Sequence, residues 1–109
     1  MRTLGLILAA AILPACNGEV ARDDVRVTLR NDGTQDVRVV VEVERSFGDD
    51  IDREAIVTPS ESIVYTFDGV DKLMVRVYRV SDNFAIYDDF WFADDLRRMH
   101  DDVFVTVSP

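Results

Sequence analysis

The sequence predicts an all-β chain, folded as a small antiparallel β-sandwich of about seven strands. Three observations predict it. Apolar, mostly β-branched residues alternate with polar ones in run after run, which is the period of a half-buried strand. Turn-forming clusters separate the runs at a spacing of roughly 10–12 residues. Only one stretch, near residues 94–100, carries helical spacing.

Taken in order, "VRVTLR" sets Val25, Val27 and Leu29 against Arg26, Thr28 and Arg30. "VRVVVEVE" sets Val37, Val39, Val41 and Val43 against Arg38, Glu42 and Glu44. Between them "NDGTQ" has Asn-Asp-Gly turn chemistry. Read as a five-residue hairpin loop, it puts Arg30 opposite Asp36, Leu29 opposite Val37, Val27 opposite Val39 and Val25 opposite Val41. Arg26, Arg30 and Arg38 then share the outer face of that hairpin with Asp36, Glu42 and Glu44, as paired surface charge. "REAIVT" (residues 53–58) follows, then a turn at Pro59-Ser60-Glu61, then "SIVYTF" with Ile63, Tyr65 and Phe67 on one face. After Asp68-Gly69, "KLMVRVYRV" places Leu73, Val75 and Val77 on one face and Met74, Arg76 and Tyr78 on the other. Ser81-Asp82-Asn83 turns the chain into "FAIYDDFWF", an aromatic-rich extended run. "ADDLRRMHDD" is helix-like, with Leu96 and Met99 three apart, and "VFVTVS" closes the sheet with Val103, Val105 and Val107 inward.

The first 15 residues read differently. Met1-Arg2-Thr3 is positive, and Leu4 to Leu13 holds only Leu, Ile, Ala and one Gly. As a helix that run spans roughly 15 Å, half the roughly 30 Å of a bilayer's hydrocarbon core. It suits the apolar stretch of a secretion signal better than a spanning helix. The run ends at Cys16, the only cysteine of the 109 residues, so no disulfide can form within the chain. Residues 16–24 read as a polar tether and 25–109 as the folded domain.

Leu13-Pro14-Ala15-Cys16 resembles the lipobox of bacterial lipoproteins, with Pro14 a departure from the commoner small residue at its position. The resemblance covers residues 1–16. It implies cleavage before Cys16, a diacylglycerol on its thiol and often a further acyl chain on the new amino terminus. It therefore implies a protein of the bacterial cell envelope, attached to the membrane through lipid on Cys16. Asn17 in place of Asp favours the periplasmic face of the outer membrane in a diderm cell. The remainder loosely resembles the small immunoglobulin-like domains of bacterial envelope proteins, although a transthyretin-like sandwich would give the same pattern. The cysteine–tryptophan–cysteine marker of antibody domains is missing.

Charge narrows the partners. Residues 17–109 hold 21 Asp and Glu against 11 Lys and Arg. Such a domain repels phosphate backbones and anionic headgroups, so neither nucleic acid nor direct docking of the domain on a membrane is expected. Chemistry is sparse. The sequence points to no cofactor and no enzyme: the lone His100 has no second His and no G-x-S-x-G serine to work with. Repeated Asp pairs lack the D-x-D-x-D-G spacing of a calcium loop, and "GDDID", with Asp49, Asp50 and Asp52, is the first choice if a metal site exists.

One segment raises a binding question. In an extended "DDFWF", Phe90 and Phe92 share one side and Trp91 takes the other, whereas a sandwich buries one side of each sheet. Either residues 93–100 fold back and cover the outward aromatic with Leu96 and Met99, or an aromatic stands exposed among aspartates as a partner-binding spot. The expected function is a lipid-anchored structural or interaction module that binds another envelope protein. The alternative is a small-ligand or calcium-binding envelope lipoprotein.

Overall fold

The structure is a computed structural model in which residues 24–109 are described. The signal-like segment, Cys16 and the tether up to residue 23 lie outside the described residues. Seven strands and one short helix follow in the order β1 (Val25–Asn31), β2 (Val37–Glu44), β3 (Ile51–Val57), β4 (Ser62–Phe67), β5 (Lys72–Arg79), β6 (Ala85–Phe92), α1 (Ala93–Arg98) and β7 (Asp102–Val107). All seven expected strands are present, and the helical stretch begins at Ala93.

The strands form two sheets, β4-β1-β7 and β3-β2-β5-β6. All pairings are antiparallel except that of β1 with β7, which is parallel. The expected β1–β2 hairpin does not form. Leu29 lies between Ile63 and Val105, not opposite Val37, and β2 pairs with β3 and β5. The physical reason is visible at Asn31, which is fully buried at the end of β1. Its side-chain amide donates to the carbonyls of Gln35 (2.8 Å) and Val57 (3.0 Å), and its Oδ1 accepts from the Gly33 N–H (2.9 Å). The Asn-Asp-Gly stretch is thus an Asx turn. It carries the chain from one sheet to the other, so the valine rows of β1 and β2 belong to opposite layers of one core. The order departs from the constant-type immunoglobulin arrangement, whose first two strands are sheet neighbours.

The core is made of small pieces. Thirteen of its seventeen buried apolar residues are Val, joined by Leu29, Leu73, Leu96 and Phe67. Branched side chains lose little rotamer freedom on a pleated surface and pack in even rows. Such an interior has little room for large rings, and only Phe67 of the six phenylalanines is buried. α1 folds inward: Leu96 joins the core and Met99 packs against it. Asp95, at its third position, accepts from the Phe92 N–H (3.1 Å), while Asp94 and Asp95 in the first turn and Arg97 and Arg98 in the last match the helix dipole. Past α1, His100 and Asp101 both adopt left-handed backbone (φ 58° and 57°).

Candidate interaction surface

Strand alternation in β6 assigns each aromatic its side. Cross-strand partners place Trp91 beside Leu73, whose side chain is buried, and Phe90 and Phe92 beside Met74 and Lys72 on the outer face. Trp91 is half-buried and packs against the core. Phe90 and Phe92 remain 51% and 52% exposed. Of the two expected outcomes, residues 93–100 do not cover these rings, because α1 turns to the core side, where Leu96 is buried.

The two rings are organised. They meet edge to face, with centroids 5.5 Å apart and an interplanar angle of 84°. Lys72, the only lysine of the chain, holds its ammonium 5.0 Å from the Phe90 centroid and 5.6 Å from that of Phe92. An exposed cation–π contact contributes about 0.5–1 kcal/mol, and an aromatic pair about the same again. The rings therefore sit in a preferred arrangement. Outward residues alongside are Glu44 in the Phe92 row, and Asp52, Glu42 and Met74 in the Phe90 row.

The free edge of β6 is guarded at its carboxy-terminal end. The N–H of Phe90 donates to Asp89 Oδ1 (2.8 Å) and that of Phe92 to Asp95, so carboxylates occupy donors that an added strand would need. Asp89 is also the inward-facing residue beside Val75, and Arg53 on the opposite edge strand β3 faces inward beside Val41. Val41 and Val75 are themselves partners, so one row of the sheet carries a charge at each edge. Inward-facing charges at sheet edges oppose edge-to-edge pairing. Asp89 acts on its neighbour too: burial, then the charge and hydrogen bond of Asp89, push the Tyr87 hydroxyl above the ordinary tyrosine range.

Other sequence candidates are placed apart. In the β2–β3 loop, Arg45 donates its backbone N–H to Asp50 (3.2 Å) and its Nε to the Asp49 carbonyl (2.8 Å), and reaches Asp68 (2.8 Å). Asp52 lies on the outer face of β3, opposite Glu42. Among the described residues no three His, Cys, Asp or Glu side chains are placed to hold a metal ion. His100 is exposed and shares a shallow concavity with Asp24, Arg26, Thr66, Asp101 and Asp102. The three arginines do carry paired surface charge, but the partners are corrected by the topology. Arg26 pairs with Asp102 (3.2 Å), Arg30 with Asp32, and Arg38 with Glu54 (3.2 Å), since β1 and β2 present their outer faces on different sheets.

Sequence reasoning named Phe90, Trp91 and Phe92 and missed Lys72, Phe47 and Phe104. Phe47, at the tip of the β2–β3 loop, is 87% exposed, and Phe104 on β7 is 65% exposed. Alternation was a usable signal for Phe104, which falls on the outward side of "VFVTVS". Among the described residues no helix is long and apolar enough to cross a membrane. No family model, curated protein or solved structure matches the chain.

Proposed function

We propose that this protein is a lipid-anchored module of the bacterial cell envelope, held by acyl chains on Cys16, whose sandwich binds another protein through the outer face around Phe90 and Phe92. The observation that carries the binding half is the state of the phenylalanines: five of six are exposed, and two of those meet edge to face under the lone lysine. Large exposed aromatics cost solvation, and a pre-arranged pair offers contact area with little ordering cost on binding. The lipobox-like Leu13–Cys16 motivates the anchor. One acyl chain holds reversibly; two or three hold durably. Asn17 to Asp24, fully extended, reaches at most about 28 Å, so the partner is met close to the membrane surface.

The test uses the full chain made in bacteria. An alkyne-bearing fatty acid should label the parent protein and leave Cys16→Ser unlabelled. Chemical cross-linking should trap the parent in a discrete complex that the double variant Phe90→Ala, Phe92→Ala loses while its melting temperature holds. Complexes that survive the double substitution, or a parent protein without lipid, would overturn the corresponding half.

A further inference from the structure

Strand directions place the exposed rings at one particular end of the sandwich. β1 starts at Val25, where the tether joins, and Val25 pairs with Phe67 at the end of β4. Lys72 begins β5 and pairs with both Glu44, ending β2, and Phe92, ending β6. The β2–β3 loop with Phe47, the β4–β5 loop, α1 and the start of β7 therefore lie at this same end. Contacts from Arg45 to Asp68 and from Ser46 to Asp71 tie the two loops together there.

Charge collects at the same end. Residues 24–26, 44–52, 68–72 and 94–102 together hold 11 Asp and Glu against 5 Lys and Arg. At the far end, residues 30–38, 56–62, 79–85 and 106–109 hold 4 against 3. Of the net charge of −9 carried by residues 24–109, −6 sits where the tether joins and −1 at the far end. Phe47, Phe90 and Phe92 thus stand at the end that carries most of the domain's net negative charge. Beside the rings, Asp89 and Asp95 occupy the edge N–H groups of Phe90 and Phe92, which favours contact on the face of the sheet over strand addition there.

We infer that the occupant of this face is a cationic protein segment: Arg or Lys flanking apolar side chains, on an envelope protein close to the membrane. The inference rests on the reading that the aromatic face binds protein, and it adds the partner's charge. Lysine or arginine heads would meet the carboxylates of Glu44 and Asp52, while apolar or guanidinium groups stack on Phe90 and Phe92. Anionic lipid headgroups are disfavoured here by the same charge. Steering by a field of this sign raises association rates by roughly 10–1000-fold and fades with salt, because the screening length shrinks from about 10 Å at 0.1 M to about 3 Å at 1 M.

The test is site-specific photo-cross-linking with the full chain in washed envelopes of its own cells. A photoreactive residue replaces Phe92 in one variant and Phe104, on the other sheet, in a second. The Phe92 probe should give a discrete protein adduct that the Phe104 probe lacks. Mass mapping should put the cross-link in a segment of net positive charge. Adduct yield should fall roughly ten-fold between 0.05 M and 1 M salt, and several-fold in Glu44→Gln, Asp52→Asn. An adduct to a neutral or acidic segment, to a second copy of the chain or to lipid, or one indifferent to salt and to the charge variant, overturns the inference. A neutral or acidic protein partner leaves the wider reading of an aromatic binding face intact. Absence of any Phe92 adduct sinks both.

Discussion

Asn31 holds the crossover between the sheets, and its removal should be among the costliest single changes in the domain. Asn31→Ala deletes three hydrogen bonds at a fully buried position. The Val57 carbonyl loses its bond in a buried setting; the Gln35 carbonyl and the Gly33 N–H are part-buried, where water can replace some of what is lost. At about 1–3 kcal/mol for a buried polar group left unpaired and less for the other two, the expected loss is about 3 kcal/mol. Total stability for a domain of this size is roughly 4–13 kcal/mol, so the variant keeps its fold with roughly 1–10 kcal/mol left. Urea unfolding followed by fluorescence of Trp91, the only tryptophan, provides the assay. Trp91 lies near the start of β5 and Asn31 at the far end of β1, so a cooperative shift reports on the whole domain. With a slope of about 1–3 kcal/mol per molar, the midpoint should drop by roughly 1–3 M. Asn31→Asp sharpens the reasoning, since its carboxylate would face two carbonyls and could donate to neither. Burial raises that carboxyl's folded pKa above the unfolded value of about 3.9. The folded variant then binds the extra proton, and its stability falls as pH rises from below 3.9 through the raised value. Asn31→Asp should therefore be weaker relative to the parent at pH 7 than at pH 3.5. A cost under about 1 kcal/mol for Asn31→Ala, or no pH difference for Asn31→Asp, would refute the role given to Asn31.

Three further outcomes follow from local geometry. Asp101 has left-handed backbone and uses its N–H and carbonyl, not its side chain, to join Leu96 and Arg26. Asp101→Gly should relieve about 1 kcal/mol of strain and raise the melting temperature by a few degrees. Asp82 accepts from Arg79 and from the Phe84 N–H, which hold its carboxyl below the usual range. An NMR titration should find its midpoint below the ordinary 3.8, and Arg79→Leu should move it up. Stabilisation from Asp82 is present above the unfolded pKa and is lost as pH falls through the lowered one. Asp89→Ala removes both the inward charge of β6 and the partner of the Phe90 N–H, and sedimentation should show it forming larger species than the parent chain at equal concentration.

What could be read from the sequence was whatever depends on near neighbours. Each strand is a local alternation, so "VRVTLR", "VRVVVEVE" and "VFVTVS" announced themselves and their buried faces. That Phe90 and Phe92 share one side and Trp91 takes the other followed from the same rule, but which side faces outward did not. Sheet membership did not. A hairpin and a crossover can use the same Asn-Asp-Gly chemistry, and β1 and β2 carry interchangeable valine rows that suit one layer or two. The choice turns on the burial of Asn31 and its bond to Val57, 26 residues away. The candidate surface was half legible for a similar reason. Its aromatics are adjacent in sequence, but Lys72 reaches them only because β5 lies beside β6, and Glu44 and Asp52 join through β2 and β3.

The four-stranded sheet treats its edges and its face in opposite ways. At the edges it spends charge against association: Arg53 and Asp89 point inward, and carboxylates take the N–H groups of Phe90 and Phe92. On the outer face it leaves Phe90, Phe92 and Ile56 about half exposed, with Arg38 laid over Tyr78 and Lys72 over the phenylalanines. Unselective stickiness would call for the reverse, since an open edge pairs with any extended chain. Guarded edges beside organised rings instead restrict contact to partners that match side chains. The excess of acidic residues at the same end narrows the match further, because a partner of like charge meets repulsion before it reaches the rings. If the domain is lipid-anchored as proposed, that combination would keep it off an anionic membrane and off its own copies while leaving the aromatic face open to a matching partner.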